Sequence, residues 1–336
     1  MNISLMKYLG NMDQIAGIRE YQLLRGRGQQ MQIAEFYNAA GLRFTVVPDR
    51  GMDLYDFSYK GVNFSFHSKN GLTAPQAYSA AAGEFCEQWS GGMLATCGLD
   101  NVGGHCTGDA NFPTHGRYAN VPADTFGTEK VWEDGKYILR ATGEMNQTRL
   151  YGRHLSVRRT VETELNGKTV KIRDRITNLD GENQPYMLLY HFNFGYPLLQ
   201  EDTLVRTTGS TVQALSERAE DTVHMTVPTD GIDEELFLIQ GHGARGAGVI
   251  WNERLELGAY VAFDTKNLPN MLQWKMMKSR DYVVGLEPCN TYGISRLQAI
   301  EKDKIAVLPA FSSVENCLEL GVLDGMTEIQ SFLKNL

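Results

Sequence analysis

Apolar and polar positions alternate along most of the chain with the two-residue period of a strand, and the fullest case is the run YMLLYHFNFGYPLL at residues 186–199. Side chains on a strand point alternately to opposite faces, so Tyr186, Leu188, Tyr190, Phe192 and Phe194 share one face. Leu189, His191, Asn193 and Gly195 share the other. This pattern predicts a buried strand that presents His191 and Asn193 together. In the later run YVVGLEP, Val283, Gly285 and Glu287 fall on one face, and the glycine leaves room beside the carboxylate. A histidine and a glutamate near strand ends look like an acid and a base. A core histidine and a surface carboxylate fit the same residues, and both readings stay open at this level.

Taken in order, residues 31–67 read as a meander of strands joined by tight turns: MQIAEFY, GLRFTVV with Leu42, Phe44 and Val46 on one face, MDLYDFSY, and VNFSFH after Lys60-Gly61. Between residues 132 and 176 the alternation returns. Leu155, Val157, Val161 and Leu165 share one face, and Val170, Ile172 and Ile176 share the next. Asn166-Gly167 between them predicts a hairpin whose two central residues take positive φ. Strand-like runs follow at 203–214, 236–240, 248–251, 259–263, 271–277, 282–287 and 314–323. Helical character is confined to the alanine-rich stretch 74–82 and the last dozen residues. Since helices do not intervene between strands, the expected fold is all-β, a large β-sandwich with few short helices. No composition break, linker or repeat divides the chain, so residues 1–336 are expected to form one domain.

Composition narrows the function classes. A net charge of −8 argues against a nucleic-acid partner, and the basic segments 153–159 and 168–175 read as solvated strand faces because their charges alternate with apolar residues. Five cysteines at unrelated spacings suggest a reducing compartment rather than a disulfide framework. With no long apolar run and no secretory leader pattern at the start, the expectation is a cytoplasmic protein without a membrane partner. There is no GxGxxG opening a helix, no P-loop and no HExxH, which disfavours dinucleotide, nucleotide and zincin chemistry. The tract 98–123 has no sustained period, and a loop of that length is commonly functional. It presents His115 and Arg117 on a rigid Pro-Thr-His-Gly-Arg turn. His105-Cys106 in the same tract lacks further ligands at metal spacing, so no metal is expected. Arg50, in the turn Pro48-Asp49-Arg50-Gly51, is explained by turn chemistry or by a ligand role.

Together these pieces resemble the galactose mutarotase-like superfamily, the aldose 1-epimerases, and in particular an incompletely characterised branch of it. The resemblance covers most of the chain. VKIRDRITNLDGENQPYMLLYHFNFGYPLL is similar to the family passage whose histidine-bearing strand carries the general acid, which implies His191. FPTHGRYANVPA resembles the family's His-Gly segment and implies that His115 contacts the sugar. LQWKMMKSRDYVVGLEPCN resembles the late strand pair ending in the catalytic base, which implies Glu287. DGIDEELF is weakly similar to the segment supplying a hydroxyl-binding aspartate, which would be Asp233. The resemblance further implies a β-supersandwich and a small-molecule sugar as partner, with no cofactor. One departure concerns the substrate: where the family carries a sugar-binding arginine, Trp89-Ser90 precedes Gly91-Gly92. Arg50 or Arg117 are candidate replacements. Asn193 is a further candidate ligand, as are Gln273 and Lys275, which share a face of the strand preceding Glu287.

The expected chemistry is anomer interconversion. A base takes the proton of the anomeric hydroxyl while an acid protonates the ring oxygen, the freed aldehyde rotates, and the step reverses. An acid and a base on opposite sides of the sugar suffice. Two alternatives remain: a non-catalytic sugar-binding or regulatory module, and an isomerase or epimerase of a phosphorylated or otherwise modified sugar, for which Arg50, Arg117 and Lys275 would have to converge. A homo-oligomer is compatible with each.

Overall fold

The computed structural model describes residues 7–108 and 110–336; the first six residues of the N-terminal segment considered above lie outside it. Strands dominate, and the paired strands are antiparallel throughout. A five-stranded sheet comprises the meander from Gly17–Gln22 through Val62–Asn63. An eight-stranded sheet has at its centre Ser313–Asp324, Thr169–Asn178 and His154–Glu164. A seven-stranded sheet includes, side by side, Glu235–Gln240, Asn270–Lys278, Asp281–Cys289 and Gln184–Phe194, with Leu94–Leu99 also paired to the last. Among the described residues the α-helices are short: Phe85–Gln88, Arg296–Glu301 and Met326–Lys334. None is long and apolar enough to cross a membrane.

The alternation read from residues 186–194 decides how the sheets pack. Leu188, Tyr190, Phe192 and Phe194 are fully buried in one apolar cluster with Leu155, Val157, Val161, Ile172 and Ile176 of the eight-stranded sheet. The even-numbered face of the Gln184–Phe194 strand therefore closes the sandwich, and the odd-numbered face, carrying His191, turns away from it. Burying a large apolar side chain contributes about 1.5–3 kcal/mol, so a one-residue slip of this strand would expose the aromatic face and is strongly disfavoured.

Four local expectations are corrected. The hairpin between His154–Glu164 and Thr169–Asn178 is present, but Asn166-Gly167 is not its central pair. The Gly167 amide donates to the Glu164 carbonyl at 3.0 Å, neither Asn166 nor Gly167 takes positive φ, and Leu165-Asn166 occupies the corner. Residues 74–82 are not a helix; a single 3-10 turn spans Pro75–Ala77, and the helix falls on Phe85–Gln88, after Gly83 at φ +85°. The run 203–214 is two strands, Thr203–Thr207 in the eight-stranded sheet and Thr211–Ala214 in the seven-stranded one. Between them, a Cβ on Gly209 would lie 2.2 Å from Ile239 Cγ2, a close approach that glycine alone permits.

The fourth concerns segment 153–159. Lys171, Arg173 and Arg175 are exposed, as alternation predicts, but Arg159 is fully buried. Its Nη1 donates to Asp53 Oδ1 at 2.7 Å, and its Nε and Nη2 donate to Asp174 Oδ1 and Oδ2 at 2.8 and 2.7 Å. Tyr190 also donates to Asp174 at 2.8 Å, and Thr96 donates to Asp53 at 2.6 Å. This ion cluster sits directly behind the strand that carries His191.

Candidate active site

The register of three neighbouring strands builds the floor of a cavity of about 770 Å³. Phe192 pairs with Leu286 and Asn193 with Gly285, which sets His191 opposite Glu287. Glu287 in turn pairs with Leu272, Gly285 with Trp274, Val283 with Met276, and Asp281 with Lys278. Paired residues project from the same face, so the floor consists of successive rows about 7 Å apart. The His191–Glu287–Leu272 row is deepest, the row of Trp274 follows, then Met276 and Val283, and the row of Lys278 and Asp281 forms the rim.

His191 Nε2 and Glu287 Oε1 lie 3.1 Å apart. The contact lacks hydrogen-bond alignment, so Glu287 Oε1 has no hydrogen-bond partner, and His191 Nδ1, the other ring nitrogen, has none either. The carboxyl and imidazole were expected on opposite sides of a sugar; instead they stand side by side, because neighbouring antiparallel strands place them in register. Gly285 makes this possible, since a Cβ there would meet Glu287 Oε1 at 2.3 Å and His191 Cε1 at 3.2 Å. Burial raises the Glu287 pKa well above the carboxylate range, with the Glu234 charge adding to it. Burial and the neighbouring His115 lower that of His191 well below the usual imidazole value. Desolvation disfavours both charged forms, so burial pushes the pair toward a carboxylic acid beside a neutral imidazole.

Aromatic rings surround the pair. Trp89 and Trp274 have ring centroids 5.6 and 5.4 Å from that of His191 and meet each other edge to face at 5.9 Å. His115, at φ +58°, lies 5.7 Å from His191. Its Nδ1 has no partner, and burial lowers its pKa to about 4. Thr291 Oγ1 is a further unpartnered polar atom in the wall. Trp274 Nε1 donates to Glu234 Oε2 at 2.7 Å, which holds that carboxylate at the cavity edge.

The remaining expected ligands are placed elsewhere. Asp233 is exposed and outside the cavity, and its neighbour Glu234 lines the wall instead. Gln273 and Lys275 point to the opposite face of their strand. Gln273 donates to the Thr222 carbonyl at 2.7 Å, and Lys275 donates to the Asp221 carbonyl at 2.6 Å and lies 3.4 Å from Glu235. Asn193 shares the face of His191 but is fully buried and does not line the cavity, donating to the carbonyls of Gly92 and His191 at 2.9 Å. Arg50 donates to the Thr73 carbonyl at 2.7 Å, with its pKa lowered by burial to about 10. Arg117 pairs with Asp100 and donates to the Asn111 carbonyl at 3.0 Å. Arg50, Arg117 and Lys275 therefore do not converge. Among the described residues the cations lining the cavity are Lys69, ion-paired with Asp281 at 2.6 Å, and Lys278. Trp89, immediately before Ser90-Gly91-Gly92, where the resemblance implies an arginine in sequence, lines the cavity. Trp274 was legible only through register, since even-numbered residues 272–276 share the face of odd-numbered 283–287 once those two strands pair.

Residues 28–322 match the family model described as a domain of unknown function, DUF4432. No curated protein matches the chain significantly. Among solved structures, a protein from Klebsiella pneumoniae, provisionally named an aldose 1-epimerase, is 22% identical, with 95% of this chain and 86% of that one aligned at a TM-score of 0.89. A galactose mutarotase-like protein from Clostridium acetobutylicum is 16% identical over 93% of this chain and 100% of that one, at 0.62. A galactose 1-epimerase from Lactobacillus acidophilus is 14% identical over 92% and 99%, at 0.59. At these identities the likeness is one of fold, and the chain has the galactose mutarotase-like fold.

Proposed function

The chain belongs to the DUF4432 family, and from its cavity we propose that it is an aldose 1-epimerase-like isomerase, interconverting the anomers of a sugar by acid and base catalysis. The observation that carries this reading is the buried Glu287–His191 contact of 3.1 Å, with unpartnered polar atoms, on the floor of a cavity large enough for a sugar. A site built only for binding has no need of two adjacent titratable groups whose pKa values are shifted in opposite directions.

The pair carries one proton. With it on Glu287, the carboxylic acid protonates the ring oxygen while neutral His191 accepts the proton of the anomeric hydroxyl, and the C1–O5 bond breaks to give the open aldehyde. This leaves a carboxylate and an imidazolium. After rotation about C1–C2, the C5 hydroxyl attacks the aldehyde, Glu287 recovers its proton from that hydroxyl, and His191 returns its own to the new anomeric oxygen. Glu287 thus acts as acid in opening and His191 as base, the reverse of the roles the resemblance implies, in which Glu287 takes the anomeric proton and His191 protonates the ring oxygen. His115, Thr291 and Glu234 serve as hydroxyl partners, and Trp89 and Trp274 offer ring faces to sugar C–H groups.

The test is saturation-transfer NMR of anomer exchange across a sugar panel. Glu287→Gln and His191→Ala should each lower the rate by about 10²–10⁴ while circular dichroism stays unchanged. Unaltered exchange in Glu287→Gln would sink the mechanism. Binding without exchange by any sugar would make the chain a binding module. The cavity's scarcity of unpaired cations supports an uncharged rather than phosphorylated substrate, since phosphate recognition draws on clustered Arg and Lys.

A further inference from the structure

The rows of the cavity floor carry information about substrate class. Six residues separate the Glu287–Leu272 row from the Lys278–Asp281 row, a run of about 20 Å at the usual rise per strand residue. At about 770 Å³, the cavity falls in the upper part of the roughly 300–1,000 Å³ range that encloses drug-sized ligands, well beyond one hexose ring. The unpartnered or titratable groups at the deep end are His115, His191, Glu287 and Thr291, whereas Glu234 is exposed at the cavity edge, one residue beyond the Glu235–Lys275 pair, and already accepts from Trp274. Between that end and the rim the floor is Met276 and Val283, and Phe66 stands in the wall against Trp89 with ring centroids 6.0 Å apart. Those side chains offer no strong hydrogen-bond donor or acceptor.

We propose that the substrate is an uncharged reducing sugar bearing an apolar substituent, acyl, alkyl or aryl, on a hydroxyl remote from the anomeric carbon. The sugar occupies the deep row, and the substituent lies over Trp274, Met276 and Val283 toward the Lys69–Asp281 rim. A second sugar ring in that position would find Glu234, already accepting from Trp274, at its edge and would press its other hydroxyls against Met276, Val283 and Phe66, leaving them unpaired, which is costly. A phosphate there would meet Lys278 and a Lys69 already neutralised by Asp281. This inference rests on the isomerase reading only for the placement of the anomeric carbon.

The experiment measures binding and exchange separately on the full chain, using glucose, maltose, glucose 6-phosphate and glucose acylated at its primary hydroxyl with a hexanoyl chain. Dissociation constants come from quenching of tryptophan fluorescence with calorimetric confirmation, and exchange from saturation-transfer NMR. The acylated sugar should bind at least about tenfold tighter than glucose, as burial of several methylenes requires. Met276→Asp should erase most of that difference. Equal affinity for glucose and its hexanoyl ester, tighter binding of maltose or the phosphate, or no binding of the ester would each overturn the proposal. Tight binding of the ester without exchange would leave it standing and defeat the isomerase reading. Fast exchange of plain glucose with no gain from the chain would do the reverse.

Discussion

At Gly285 it is a neighbour, not the backbone, that excludes a side chain: φ is ordinary for a strand, and the Cβ position lies 2.3 Å from Glu287 Oε1. Gly285→Ala should therefore fold but push the carboxyl off His191. Displacements of about 1 Å at a reacting group cost on the order of 10²-fold in rate, so exchange should fall by that factor while thermal stability changes little; an unaltered rate would show that the 3.1 Å contact is not needed. His115 supplies a second residue-scale prediction. Unfolded histidine titrates near pH 6.5, whereas in the fold burial lowers this residue to about 4. Between those values the unfolded chain binds a proton that the folded chain does not, so His115 lowers stability as pH falls from about 6.5 to 4. Glu287, raised in the fold, acts oppositely: its contribution is complete below its unfolded value near 4.3 and is lost as pH rises through the folded one. Replacing His115 by Phe should flatten the acid limb of stability against pH, measured as urea midpoints. An unchanged limb would remove His115 as its source. The same two residues show what sequence can and cannot disclose. His115 and Glu287 were recognisable as candidates from local context, but their pKa directions arise from burial among residues distant in the chain.

Among the elements, the strand Gln184–Phe194 is fixed from both sides. Its core face packs into the sandwich, and behind it Arg159 bridges Asp53 and Asp174 in a fully buried cluster that Tyr190 joins through Asp174. Removing one member of such a cluster leaves uncompensated buried charge, at a cost of about 3–5 kcal/mol. Arg159→Met should lose stability of that order by urea denaturation; a loss below about 1 kcal/mol would mean that solvent reaches the cluster. Alternation in segment 153–159 was read correctly for Leu155 and Val157, yet it also places Arg159 on their inward face, and charge alone made that segment look solvated. The partners that reverse the inference, Asp53 and Asp174, lie on other strands. The hairpin after residue 164 makes a related point: its existence followed from two matched alternating runs, while the residues at its corner followed from the register the sheet imposed.

For the whole molecule, a single apolar cluster runs from Ala16 to Val322 and draws on both large sheets. We therefore predict one cooperative unfolding transition, with far-UV circular dichroism and tryptophan fluorescence superimposed; two separated transitions would divide the chain into independent domains. Sequence by itself determined the all-β class, the inward face of the histidine strand, and the candidacy of His191, His115 and Glu287. A period of two survives in the chain whatever the strand pairs with, and acid and base residues beside glycines carry a local signature. Only the tertiary structure decided which side of the Asn270–Lys278 strand faces the cavity. That choice replaced Gln273 and Lys275 with Leu272, Trp274 and Met276, exchanged Asp233 for Glu234, and turned Arg50 and Arg117 toward partners of their own. Each outcome depends on pairing register or on a contact between distant segments, and alternation along one strand is silent about both, because shifting a partner strand by one residue inverts the face without altering the sequence pattern.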